Sequence, residues 1–459
     1  MKQGFQQIAK NTYQYSNASG PDIKLYLSPL LFEYLEPGAL EQLINASQLP
    51  SVVSPVVGLP DIHEGFGLPI GGVLATQGDN GIISAGSVGM DINCGVRLLA
   101  TDLTYNKIKS KLAQRLADIA ELSAPGVGKT TRLKAASRLH IHQVLEQGVP
   151  FLVEKGIGSA DDLGSIEEGG VMPGADKDCV SKDVTRRGQE QLATLGGGNH
   201  FIEACLLETD YHNDYTRELG LEKGVLYFLI HTGSRGVGHQ VCTDYMDRMK
   251  KALPKGTLPT KGLAYAPLKS KLGQEYFSAM SAACNFAFSN RQLLTVALEQ
   301  GLNCKTKLIY DVSHNIAKLE NHGGKNLLIH RKGATRALPK GHQGLGKRHA
   351  NTGQPAIIPG TMGTGSYVVV GTEKLERTFY SVNHGAGRLM SRKQAKKSIS
   401  PKQLRRAMSG IELNSPGVKK VLDESPHAYK DIDAVVDVLA DIGLVEKVAK
   451  LRPVGVIKG

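Results

Sequence analysis

Residues 224–231, GVLYFLIH, decide the fold: a short run of apolar, β-favouring residues that ends on a histidine. Val, Tyr, Phe and Ile suit a buried pleated strand, and the run is too short for an ordinary globular helix. The design recurs along the chain. KLIY at 307–310 leads into Asp311 and His314, NLLI at 326–329 ends at His330, and TFYSV at 378–382 leads into Asn383 and His384. Functional groups commonly sit on loops that a rigid scaffold positions. One strand-end histidine means little; the recurrence predicts a shared site. Helical spacing of apolar residues runs from Tyr105 to Leu122, a long helix is expected over 269–300, and another over 431–450. The Gly- and Asp-rich stretch 150–190 reads as loop. There is no internal repeat and no low-complexity tract. The expected class is α/β (mixed α+β), with mixed sheets whose strand ends build one deep cleft and helices packed outside.

Composition narrows the partners. The 459 residues carry a formal charge of +12, which points to a polyanion. Aromatics are only 5% and Trp is absent, which argues against a stacking-dominated single-strand platform. No apolar run approaches the ~18 residues of a membrane helix. The first residues, MKQGFQQIAKNTYQYSNASG, hold no apolar signal core, so a cytoplasmic protein with no membrane partner is expected. The cysteines Cys94, Cys179, Cys205, Cys242, Cys284 and Cys304 form no C-x-x-C pair, and most should be buried free thiols.

Cys94 is the exception. Asp91-Ile-Asn-Cys94 lies in GSVGMDINCGVRLL, and alone it would be a cysteine in a turn. Three further ligand types change that: His200 in LGGGNHFIE, His231 in HTGSRG and His314 in DVSHN. A carboxylate, a thiolate and three imidazoles exceed one closed tetrahedral site, but they fit two divalent ions bridged by the thiolate. Zn²⁺, Mn²⁺, Fe²⁺ and Co²⁺ all suit such donors. Glycine-rich stretches that could cradle phosphate are Gly196-Gly-Gly-Asn199, Pro359-Gly-Thr-Met-Gly-Thr-Gly-Ser366 and His384-Gly-Ala-Gly387. GVGKTT at 126–131 looks like a P-loop but has Ser123 where that pattern needs glycine. Glu203 suits a base edge, a ribose or the outer side of a metal ligand. His384, framed by Asn383 and glycines, is the best candidate to attack phosphorus. Basic stretches at 330–349 and 387–406 flank these pieces and favour polyphosphate or RNA backbone. The residues by themselves reach metal-assisted phosphoryl transfer.

The sequence resembles the RtcB-type, tRNA-splicing RNA ligases. The matching stretches run in family order: PDIHEGFGLPIGG, VGMDINCGVRLL, LGGGNHFIE, HTGSRGVGHQV, DVSHNIAKLE, HRKGATRA, PGTMGTGSYVV, SVNHGAGRLMSR and the terminal RPVGVIKG. The resemblance implies an RtcB-like fold in a single catalytic domain over 1–459, with a weakly matched segment at 1–50 and a largely helical insertion at 240–300. It implies Asp91, Cys94, His200, His231 and His314 as ligands of two Mn²⁺ ions, bridged by Cys94. It implies His384 as the residue that takes GMP from GTP. Guanylate contacts would be Asn199, His200, Phe201, Ile202, Glu203, His314, Asn315, Pro359, Gly360, Thr361, Met362, Ser366, His384, Gly385, Ala386, Gly387 and Lys458. The implied reaction joins RNA 2′,3′-cyclic phosphate or 3′-phosphate ends to 5′-hydroxyl ends in tRNA splicing or RNA repair. An archease-type activator is among the implied partners. Two other readings are a binuclear metal phosphoesterase on RNA ends and a non-catalytic RNA-binding paralog. One departure stands out: Asp61-Ile-His-Glu-Gly-Phe-Gly67 has Glu64 where the family commonly has Trp.

Overall fold

Two large sheets carry the chain, in a computed structural model that describes residues 2–17 and 20–459. The larger runs Thr306–Ser313, Gly95–Thr104, Val225–Thr232, Phe201–Asp210, Val445–Lys458, Ser366–Gly371 and Pro355–Ile358. Neighbours along it are antiparallel, and short Glu412–Asn414 adds parallel to Val445–Lys458. Its register does the positioning. Gly95 faces Ser313 on one side and Thr232 on the other, His231 faces Phe201, and Phe201 faces Lys458. Neighbouring strands therefore bring Cys94, His200, His231, His314 and Lys458 to the same end of the sheet.

The second sheet runs Gln6–Ala9, Thr12–Tyr15, Ile23–Tyr26, Val52–His63, Ile70–Gln77, Lys325–Lys332 and Asn315–His322. Only the pairing of Ile23–Tyr26 with Val52–His63 is parallel. At Ser313-His314-Asn315 the chain leaves the larger sheet and enters this one, so His314 sits on the seam. The mixed class expected from the sequence is present.

Helix Lys271–Leu302 follows its Ser270 cap and is buried along most of its length. A helix apolar on all sides belongs inside a protein. Three of its buried polar side chains tie down neighbouring segments. Asn285 Oδ1 accepts from Met172 N at 2.7 Å, and Asn290 Oδ1 accepts from Thr194 N at 3.1 Å. Arg291 donates to the carbonyls of Asn93 and Thr232, both at 2.9 Å, immediately beside Cys94 and His231. This core helix therefore backs the histidine-rich end of the larger sheet.

Several expectations need correction. The helix expected over 431–450 is only Ile432–Asp441; Gly443, at φ +69°, ends it, and Val445–Lys458 is a strand. The expected loop 150–190 contains the end of helix Ile141–Glu154 and nearly all of Lys182–Gln191, capped by Ser181. In TFYSV the strand is only Ser381–Asn383, because Phe379 and Tyr380 both take positive φ in a turn. Tyr105–Leu122 is helical as expected, with a tight turn between Tyr105–Ile108 and Leu112–Ser123. No helix among the described residues is long and apolar enough to cross a membrane.

Candidate active site

The metal-type donors converge as two triads that share one sulfur. Asp91, Cys94 and His200 form one, and Cys94, His231 and His314 the other, with the donor atoms of each within 4.8 Å of one another. Cys94 Sγ lies 3.6 Å from His200 Nε2 and 3.3 Å from His231 Nε2. His231 Nε2 and His314 Nε2 are 3.3 Å apart. The Nδ1 of His231 faces the Asn199 carbonyl at 3.2 Å, so Nδ1 carries the proton and Nε2 turns its lone pair inward. His200 Nε2 faces Asp91 Oδ2 at 2.8 Å, and its Nδ1 lies 3.0 Å from the Leu195 carbonyl. The second oxygen of Asp91 is buried without a hydrogen bond. Lone pairs crowded in this way repel unless a cation lies among them. The donor set fits divalent metal.

Electrostatics agree. Burial pushes the Cys94 thiol well above its usual range, with the Asp91 charge adding to it, so a thiolate here needs a cation. Burial drives His231 and His314 well below the usual imidazole range, which keeps them neutral and able to ligate. Burial raises Asp91, but His200 and Arg235 outweigh it and hold the carboxylate at about 2. Gly233 permits the approach, since a Cβ there would come 2.4 Å from Asp91 Oδ1.

His384 stands beside this cluster, its ring centroid 4.8 Å from that of His314. Asp61 Oδ2 accepts from His384 Nδ1 at 2.6 Å and from its backbone N at 3.1 Å. That fixes the ring and leaves Nε2 as the open nitrogen. The loop is held tightly: Gly387, at φ +74°, lies so close that a Cβ would come 2.3 Å from the Asp61 carbonyl. Two cavities meet at His384. One, of about 250 Å³, is lined by Asn199, Phe201, Pro359–Met362, Gly385–Gly387 and Lys458, with Arg388 and Arg392 on its wall. The other, of about 260 Å³, is lined by Asp91, Cys94, His314, Asn315 and Lys332. Both include Asn199, Ile70 and His384.

The family model described as tRNA-splicing ligase RtcB matches residues 42–459. This chain belongs to the RtcB family. It is 42% identical to the tRNA-splicing ligase RtcB of Methanococcus maripaludis over 481 aligned positions, covering 100% of each chain. Identity to the tRNA-splicing ligase RtcB of Thermococcus kodakarensis is 41% over 458 positions, covering 95% of this chain and 94% of that one. The RNA-splicing ligase RtcB of Mycobacterium tuberculosis is 41% identical over 432 positions, covering 91% of this chain and 100% of its own.

Not every expected residue of this RtcB-family chain reaches the first cavity. Ile202 points into the core on the opposite face of its strand from Phe201. Ser366 and Glu203 lie behind the Pro359–Met362 turn: Ser366 Oγ accepts from Gly360 N at 3.1 Å and donates to Glu203 at 3.5 Å. Asn315 and His314 face the second cavity, where Asn315 Nδ2 donates to the Asp91 carbonyl at 3.0 Å. Of the strand-end histidines, His330 stays apart. It is fully buried, accepting from Ser84 N at 3.2 Å and facing the Leu74 carbonyl, so it is part of the packing. The basic stretch at 330–349 is also partly internal. Arg331 pairs with Glu320, and Arg336 with Glu167 and Glu168, so these charges are answered inside the protein.

Sequence reasoning gave no site role to Asp61, Glu424 and Tyr429, and it took Arg388 and Arg392 only as part of the basic stretch 387–406. Glu424 anchors a buried cluster: Lys458 Nζ pairs with it at 3.0 Å, and Arg388, Arg392 and Tyr429 also reach it. Burial raises its carboxyl, but Lys458 and Arg392 hold it at about 2. The two arginines were visible in GRLMSR; their acidic partner lies more than 30 residues on and carried no motif. Glu64 is on the cavity wall, its backbone N donating to Glu36 Oε2 at 2.8 Å.

Proposed function

We propose that this chain is a GTP- and Mn²⁺-dependent RNA ligase. It joins RNA ends bearing a 2′,3′-cyclic phosphate or 3′-phosphate to 5′-hydroxyl ends through a His384–GMP intermediate, in tRNA splicing or RNA repair. The relatives' names support ligation. Nucleotidyl transfer rests on one observation: His384, anchored through Nδ1 to Asp61, stands between an Arg- and Lys-lined cavity and the shared-sulfur donor cluster. Because the donors stand at the end of the larger sheet and Asp61, which anchors His384, lies in the other, the reading treats 1–459 as one catalytic unit.

In this reading Asp61 accepts the hydrogen bond from Nδ1–H and stabilises the charge that grows on the ring as Nε2 attacks. The new N–P bond forms at the α-phosphorus of GTP while the P–O bond to pyrophosphate breaks. Arg388, Arg392 and Lys458 face the negative charge that collects on the phosphoryl oxygens. A cyclic phosphate end is hydrolysed to a 3′-phosphate. An oxygen of that 3′-phosphate then takes GMP, breaking the N–P bond and restoring His384. Finally the 5′-hydroxyl attacks the activated 3′-phosphorus, and GMP leaves. Mn²⁺ held by Asp91, Cys94, His200, His231 and His314 would supply Lewis-acid stabilisation of those oxygens. RNA ends and GTP are the substrates, and an archease-type protein is the proposed activator.

GTP labelled at the α-phosphate, with Mn²⁺, should leave acid-labile GMP on the protein and none on the His384→Ala variant. A label that persists in that variant rejects the nucleophile. Turnover of cyclic-phosphate ends without GTP and without joining would replace the ligase by a phosphoesterase. Salt-sensitive RNA binding with no adduct at any metal would leave a binding module.

A further inference from the structure

A cavity larger than either of those at His384 lies elsewhere. It measures about 610 Å³ and shares no lining residue with the two cavities that meet there. Its floor includes Arg97, which is fully buried. Arg97 Nε pairs with Asp311 at 2.7 Å, and Nη1 donates to Gln292 at 2.6 Å and Thr295 at 3.0 Å. Its Nη2 has no hydrogen-bond partner. Asp311 does not belong to Arg97 alone, because Arg291 pairs with it at 2.8 Å. Two buried guanidiniums thus answer one carboxylate, and one of them keeps an unpartnered donor, closed to solvent, beneath the lining of the cavity. A buried cation without its full complement of acceptors is costly, and an anion removes that cost.

The rim is built to the same sign. Arg138, Lys155 and Lys305 line it. None of the three forms an ion pair among the described residues. Two acids share the lining, Glu299 accepting from Thr306 N and Oγ1 and Asp162 from Ser159 N at 3.0 Å, so the four lining cations outnumber them two to one. Apolar side chains, among them Leu139, Ile157 and Val296, form the remaining wall. Cationic floor, cationic rim and an apolar wall within several hundred cubic ångströms match a small amphipathic anion.

We propose that this cavity binds a phosphorylated small molecule of mononucleotide size, with its phosphate toward Arg97 and the rim cations and its ring against the apolar wall. Phosphate is preferred to carboxylate because several separated donors can each take one of its oxygens. Calorimetric titration of the full chain with uridine 5′-monophosphate, and separately with inorganic phosphate, tests it. The nucleotide should bind more tightly than about 1 mM and more tightly than phosphate alone. Joint Lys155→Glu and Lys305→Glu substitution, on exposed side chains, should weaken binding at least about tenfold. Arg392→Ala, which alters the wall of the His384 cavity, should leave it unchanged. Arg97→Gln should also weaken binding if that variant keeps the wild-type melting profile. The proposal fails if neither probe binds, if Arg392→Ala removes binding while the double variant retains it, or if only an RNA oligonucleotide binds through these residues.

Discussion

His231, near the end of a strand, and His384, just past one, differ in what stands behind the ring. The Nδ1 of His231 rests on a backbone carbonyl, whereas that of His384 rests on the Asp61 carboxylate. A carbonyl fixes the tautomer and leaves the imidazole neutral, which is what a metal ligand needs. A carboxylate fixes the tautomer and also offsets positive charge that develops later, which is what an attacking nitrogen needs. The carboxylate is the feature that the proposed nucleophile has and the proposed ligand His231 lacks. The two sheets divide the work: His231 closes a strand of the larger one, and Asp61 lies in Val52–His63 of the other.

The largest effect should come from the atom common to both triads. Cys94→Ala removes a donor from each. Metal content should fall, and adduct formation should drop by roughly 10³-fold or more, since the ions stabilise transition-state charge worth several kcal/mol. Element analysis alongside the labelled-GTP assay checks this. Activity within tenfold of wild type would mean that the sulfur bridges nothing that matters.

Asp61→Asn tests the other side of the contrast. The amide keeps the size and can still accept from Nδ1, but it carries no charge. Adduct formation should slow by about 10–100-fold, the usual cost of losing such an outer partner, with metal content unchanged. A parallel loss of metal would show that Asp61 supports the cluster and not His384. His330→Ala should do the reverse of both. It leaves Ser84 N and the Leu74 carbonyl unmet, at about 1–3 kcal/mol of stability, while activity at a permissive temperature holds. Melting curves and the adduct assay read the two halves separately.

His330 also marks where sequence reading runs out. A strand ending in His, as NLLIH does, is visible from composition, but which way the ring points depends on the partner strand. Lys325–Lys332 pairs with Ile70–Gln77, and that pairing aims His330 at Leu74 and Ser84. The ligand-type residues were legible because Asp-x-x-Cys and glycine-flanked histidines are unusual combinations. Asp61 was not, since its partner lies 323 residues away and PDIHEGFG looked like a glycine-rich loop. The charge run HRKGATR misled for the same reason: Glu167, Glu168 and Glu320, which neutralise it, are distant in sequence or unremarkable nearby. Residues 431–450 read as one helix because their apolar residues keep recurring past Gly443. The change to strand turns on Gly443, whose positive φ ends the helix.

The last expected effect is on stability alone and concerns the two carboxylates near Lys458. Glu424 is paired with it at 3.0 Å and held at about 2, whereas Glu203 is pushed by burial to about 8 despite the Ser366 hydroxyl and the more distant Lys458 charge. An unfolded glutamate titrates near about 4.3. Between that value and about 8 the folded chain keeps a proton on Glu203 that the unfolded chain releases. The favourable contribution is fully present below the unfolded value and is lost as pH rises through the folded one. Glu424 works in the opposite sense, stabilising above the unfolded value and losing its contribution as pH falls toward about 2. Glu203→Gln removes the titration and keeps an acceptor for Ser366. Its melting temperature should lie close to wild type at low pH and rise above it progressively as pH increases through 8. A gap independent of pH would mean that Glu203 is ionised in the folded chain. Lys458 would then be shared between two carboxylates, and the cavity it lines would carry less positive charge for phosphate than the Glu424 pairing alone implies.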